Sequence, residues 1–128
     1  MFDKELAIEI LSQISEAIIR IQKRFEPIRS VDDFTNSEYG MEKLDSICMP
    51  LIAIGESLKN LDKATSKGFF LIYPEIDWKR VKGLRDIISH HYFDVDADVI
   101  YDICKNHIEK LKKTVLRMIK DLETANEF

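Results

Sequence analysis

Apolar residues recur every three or four positions along almost the whole chain, and that spacing admits helices and little else. Ile8, Leu11, Ile14, Ile18 and Ile21 form the first such stripe, with Glu5, Glu9, Glu16, Arg20 and Lys23 between them. Pro27 stops this helix just after Phe25, because proline lacks the amide hydrogen a continuing helix needs. Ser30-Val31-Asp32-Asp33 reads as a cap opening one short helical turn, and Asn36-Ser37 punctuates again. A second long helix fits Ser37 to about Leu61. Its expected buried stripe is Met41, Leu44, Ile47, Cys48, Leu51, Ile54, Leu58 and Leu61, with Pro50 predicting a kink.

Residues 62–76 mix Gly, Ser and Thr with aromatic residues and end near Pro74. They read as a loop carrying an apolar plug of Phe69, Phe70 and Ile72. Asp77 then caps a third helix running from Trp78 towards Tyr92, and Asp96 caps the last. That last helix carries a stripe of Val99, Ile103, His107, Leu111, Val115, Met118 and Leu122. Methionine, phenylalanine and tryptophan side chains are assigned to the core. The expected fold is all-α: an up-and-down four-helix bundle with an extra short helix, one domain over residues 1–128.

Composition narrows the function classes. A net charge of −4 argues against a protein that coats nucleic acid. The second half is nevertheless basic: Lys79, Arg80, Lys82 and Arg85 stand against Asp86, and six Lys or Arg between residues 105 and 120 stand against Glu109. A localised phosphate site fits that asymmetry, although the run on the last helix reads first as a solvated face. Asp3, Glu5 and Glu9 spoil any leader-like start, and Ser46 to Gly55, the longest uncharged apolar run, is about half a membrane span. A cytoplasmic protein without membrane contact is expected. Cys48 and Cys104, far apart and outside any CxxC, read as reduced small apolar residues.

One segment departs from bundle sequence. Gly83 to Phe93 interrupts its apolar stripe with polar residues and holds two of the three histidines. Arg85 and Tyr92 are seven apart and share a helix face, and Asp86 and His90, four apart, share the neighbouring one. Arg85 and His90 diverge by roughly 140° on a straight helix. They meet on one ligand if Arg85 reaches along the surface, if the helix loosens near its end, or if a two-fold axis brings a second copy. Arginine offers a planar fork of donors to phosphate oxygens, and histidine can move a proton from a ribose 2′-hydroxyl or to a leaving 5′-oxygen. Asp86 can hold one imidazole nitrogen and favour the charged form. His90-His91 with a distant His107 is a weak metal set, and there is no Gly-rich phosphate loop or nucleophile elbow. Hydrolysis without metal or cofactor is the expectation.

Arg85-x-x-x-x-His90-x-Tyr92 resembles the RxxxxHxY signature of HEPN-domain proteins, specifically HepT-like toxins paired with MNT-type nucleotidyltransferase antitoxins. Ile54-Gly55-Glu56 matches the IGE stretch of that group's second long helix. Pro74-Glu75-Ile76-Asp77-Trp78 is similar to its P-x-I-P-W lead-in to the third, with Asp77 where proline is common. Phe93-Asp94-Val95-Asp96 looks like its Y-x-I-D sequel. The resemblance implies a homodimeric bundle whose RxxxxH motifs face one cleft and cut RNA without metal, His90 as base or acid and Arg85 stabilising the transition state. It also implies that a nucleotidyltransferase antitoxin adenylylates Tyr92 and so blocks the toxin. Asp86 stands where the group usually has asparagine, which puts a carboxylate beside the phosphate site.

Blander assignments run alongside. His91 and His107 read as structural histidines near helix ends. Glu56 reads as a partner of Arg85 or a polar interface group, not an acid catalyst. From a different class, the chain is a dimeric helical binding module, the protein substrate of a nucleotidyltransferase with little nuclease activity of its own; Asp86 and the acidic net charge favour it.

Overall fold

The computed structural model describes residues 3–66, 68–89 and 96–124. Asp3 opens α1 (Lys4–Phe25) by accepting from the Leu6 amide at 3.0 Å, and the helix ends two residues before Pro27. Its Ala7, Leu11, Ile14, Ile18 and Ile21 are buried, while Ile8 is only partly so. The short α2 (Asp32–Thr35) drops Phe34 into the core. Its start uses the Ser30 carbonyl, which accepts from the Asp33 amide, and not the Ser30 side chain as expected.

Ser37 caps α3 (Glu38–Ala64), the hub against which α1, α2, α4 and α5 pack. Two glycines let the hub's neighbours close in. A Cβ on Gly40 would lie 1.9 Å from the Asp33 carbonyl oxygen, and one on Gly55 would lie 2.9 Å from that of Val81. Gly40 therefore takes the core position expected of Met41, which is pushed out to 46% exposure; Met49 is also exposed. Helix α3 continues unbroken through Pro50, and it extends to Ala64, so the loop after it is shorter than expected.

That loop folds into a 3₁₀ turn (Phe70–Ile72) with Phe69, Phe70 and Tyr73 buried. Ile72, expected in the plug, points out at 54% exposure, and Tyr73 replaces it. Tightening into a 3₁₀ turn moves the side chain that faces inward to every third residue, 70 and then 73. Phe70 packs on Trp78 with centroids 4.7 Å apart, and Trp78 Nε1 donates to the Tyr73 carbonyl at 2.9 Å. Tyr73 donates its hydroxyl to Asp121 at 2.7 Å.

The third arm is two pieces, not one helix. Asp77 caps α4 (Trp78–Lys82), Gly83 forms a turn, and α5 (Leu84–Ser89) comes next. Asp96 caps α6 (Ala97–Asp102) through the amides of Asp98 and Val99. A π turn (Ile103–His107) joins α6 to α7 (Ile108–Thr124) in one continuous arm. The π turn places an extra residue in the helix and rotates every later side chain about the axis. The buried stripe runs through Ala97, Ile100, Cys104, Ile108 and Leu111; Val99 and Ile103 are half-buried and His107 is exposed, against expectation.

Together the arms build one all-helical core, and no described helix is long and apolar enough to cross a membrane. Cys48 and Cys104 are free and buried, with burial as the main cause pushing their thiols up to about 11 and about 12, so both stay protonated and weakly nucleophilic. Gly55→Ala should lower the urea midpoint with unchanged slope by the equivalent of about 1–3 kcal/mol, because backbone must move to admit the methyl. Gly68→Ala, whose added Cβ meets nothing within 4 Å, is the matched control. An unchanged midpoint for Gly55→Ala would show that α4 backs away without cost.

Candidate functional site

Helix α5 sits where it does because Gly55 lets the α4–α5 corner rest on α3, the added Cβ finding Leu84 Cβ 3.6 Å away as well. Leu84 and Ile88 face the core, which turns Arg85 and Asp86 to solvent. Arg85 then lies one residue beyond the close approach, and Glu56 one residue beyond Gly55. Arg85 Nη1 donates to Glu56 Oε1 at 2.9 Å, and Lys59 Nζ lies 3.4 Å from Glu56 Oε2.

The carboxylate therefore stands between two cations. The hydrogen bond from Arg85 is the largest cause holding the Glu56 carboxyl below its usual value, with Lys59 adding to it. Arg85 keeps 61% of its side chain exposed, and Glu56 occupies one of the five N–H donors a guanidinium carries. Among the described residues the other donors of the fork meet no further partner, and a guanidinium fork is chemically suited to phosphate oxygens. Glu56 thus orients Arg85 without occupying it.

Of the residues expected to act, Arg85, Glu56 and Asp86 are described, and the first two are brought into contact. Asp86 is exposed on the same helix. His90 and Tyr92 lie outside the described residues, as do His91 and Phe93 to Val95. His107 is placed in a different setting from the helix-end role expected of it: its Nε2 lies 3.2 Å from Asp102 Oδ2, and Asn106 donates to Oδ1 of the same carboxylate at 2.7 Å. The spacing of five between Asp102 and His107 is what a π turn brings face to face. Among the described residues no cluster of three His, Cys, Asp or Glu is placed to hold a metal.

Lys59 went unnoticed in the sequence although it is three residues from Glu56, a standard helical pairing distance. The loop that precedes the site is tied down by Glu75, which accepts from Thr114 Oγ1 at 3.2 Å and from Arg117. A hydrogen bond from its own backbone N–H is the largest cause holding the Glu75 carboxyl below the usual glutamate value, with Arg117 and Thr114 adding to it.

Residues 14–118 match the family described as ribonuclease HepT-like. A candidate RNase of Methanocaldococcus jannaschii is 33% identical over 108 residues, covering 80% of this chain and 86% of the relative. A second candidate RNase of that organism is 29% identical over 80% of this chain and 89% of its own length. A protein of Thermococcus cleftensis named probable ribonuclease HepT is 30% identical, with coverages of 81% and 87%. No solved structure matches the chain.

The Glu56 shift has a checkable sign. A carboxyl held below its unfolded value stabilises the fold above that value, and the contribution disappears as pH falls through the folded one. Wild type should therefore melt slightly above Glu56→Gln at pH 7, and the gap should close once the pH drops below the folded carboxyl value. A gap that persists in strong acid would mean Glu56 contributes packing, not charge.

Proposed function

We propose how a chain that belongs to the ribonuclease HepT-like family cuts RNA. The observation that carries the reading is an exposed arginine, Arg85, held by Glu56 on the helix that leads to His90. In this reading His90 takes the proton of a ribose 2′-hydroxyl, the freed oxygen attacks the adjacent phosphorus, and the bond to the 5′-oxygen breaks. The products are a 2′,3′-cyclic phosphate and a 5′-hydroxyl, the latter taking up a proton as it leaves. Arg85 stabilises the extra negative charge on the non-bridging oxygens, which a planar fork does best when it is already aimed. No step draws on a metal or cofactor.

The finer parts of the reading concern assembly and control. Two copies pair so that both RxxxxH motifs line one cleft, which removes the 140° divergence of Arg85 and His90 on a single straight helix as an obstacle, a rough angle from about 100° per residue. A nucleotidyltransferase antitoxin transfers AMP from ATP to the Tyr92 hydroxyl, releasing pyrophosphate. The added phosphate puts negative charge where the RNA phosphate must lie. The second reading, a binding module that serves chiefly as substrate for that transferase, is favoured by Asp86, whose exposed carboxylate repels RNA beside the catalytic arginine.

Purified, unmodified protein in EDTA should cleave labelled RNA, and His90→Ala or Arg85→Ala should lose about 100-fold or more. Glu56→Gln should lose less, because it misaims the arginine without removing it. Cleavage unchanged by either alanine would sink the mechanism. No cleavage by wild type with a free Tyr92 hydroxyl would leave the binding module, as would a gain of about 329 Da on Tyr92 with partner and ATP unaccompanied by nuclease activity in the free protein.

A further inference from the structure

Among the described residues, the seam between the α4–α5 arm and the α6–α7 arm is open. In a closed bundle each arm packs on two neighbours. Here α4 and α5 pack on α3, and α7 packs on α1, while a cleft of about 450 Å³ separates the two pairs. Its floor is Leu51, and its walls are aliphatic: Val81, Leu84 and Ile87 on one side, Val99 and Ile103 on the other. The stripe Val99-Ile103-His107, which reads as core in the sequence, is turned by the π turn into the wall of this cleft.

The wall from Asp98 to Leu111 rises about 20 Å at about 1.5 Å per residue, the length of three to four helical turns. That shape suits a helix laid lengthwise, with apolar anchors at every third or fourth position. The rim selects the occupant's charge. Glu75, which is already paired with Arg117, and Asp77, Asp98 and Asp102 line it against Arg80 and Lys110, with His107 beside Asp102. Asp102 is held ionised first by Asn106, and His107 and Arg80 assist. More carboxylates than fixed cations make this a poor seat for RNA. An apolar stripe flanked by Lys and Arg is complementary to it.

We infer that the cleft between α4–α5 and α6–α7 is the docking groove for an amphipathic helix of a partner protein, aliphatic on one face and basic along its flanks. This goes beyond the ribonuclease reading and stands without it, since neither Arg85 nor Glu56 lines the groove. The partner's helix completes the bundle: its aliphatic anchors cover Val81, Ile87, Val99 and Ile103, and its cations meet Asp98 at one end and Asp77 at the other.

The test uses the full chain and a synthetic helix of about 14 residues, leucine on one face with lysine flanks, beside the same peptide with glutamate flanks. The lysine peptide should shift the methyl resonances of Val81, Ile87, Val99 and Ile103, leaving those of Ile19 and Leu116, exposed elsewhere, in place. Val99→Trp, which fills the groove from a half-buried position, should weaken binding about tenfold or more. Asp98→Lys, a surface change, should weaken it a few-fold at low salt and converge with wild type at high salt. RNA cleavage by both variants should remain at the wild-type level. Equal binding of the glutamate peptide, shifts centred on Ile19 or Leu116, or stronger perturbation of the same methyls by single-stranded RNA would each overturn the inference.

Discussion

At Gly55 the α4 backbone comes so close to α3 that a single added carbon would sit 2.9 Å from a carbonyl oxygen. The described part of the candidate site depends on that approach. It seats Leu84 and Ile88 in the core, and that seating turns Arg85 outward on the next position of α5. Because Glu56 is the residue after Gly55, the same approach delivers a carboxylate to the guanidinium. The Ile-Gly-Glu run therefore has a division of labour: Ile54 is core, Gly55 is the contact, and Glu56 is the guide. Lys82 reinforces the corner, reaching Asp62 of α3 at 2.9 Å while lying over the Phe70 ring.

Much of this was legible in the sequence, and for reasons that can be named. Helical periodicity located the long arms because their buried stripes are continuous, and Ser37, Asp77 and Asp96 marked helix starts because each accepts a backbone N–H there. The Arg85–Glu56 contact was within reach because the motifs carrying both residues point to one site. What escaped was set by backbone irregularity. A 3₁₀ turn exchanged Ile72 for Tyr73, a glycine broke the third arm, and a π turn rotated the start of the fourth. None of these leaves a periodic signature, since each is a local change in residues per turn that tertiary packing decides. Gly40 in place of Met41 is the same lesson: the helix face was chosen by how near α2 must come, which hydrophobicity does not encode.

The π turn also sets which side chains line the cleft between α4–α5 and α6–α7. Asp102 accepts from Asn106 and pairs with His107 across that turn, so these polar residues satisfy one another outside the core, and Asp102 and His107 line the cleft. At the same time Tyr73, Glu75 and Asp121 fasten the loop before α4 to the far end of α7. The α4–α5 arm is thus held at its base by that network and along α3 by Gly55. An arm fixed at those two places keeps Arg85 in position beside Glu56.

Electrostatics around Arg85 can be resolved on the same footing. An exposed ion pair contributes little to stability, so the Arg85–Glu56 pair is better understood through what it does to the arginine's position. A lone glutamate would cancel the charge that phosphate needs. Lys59 prevents this, since the group of Arg85, Glu56 and Lys59 retains one positive charge while the fork stays aimed. Asp86 opposes it from the next residue on α5, but successive helix positions point about 100° apart. In the proposed mechanism that angle lessens, without removing, the repulsion between Asp86 and a phosphate held by Arg85.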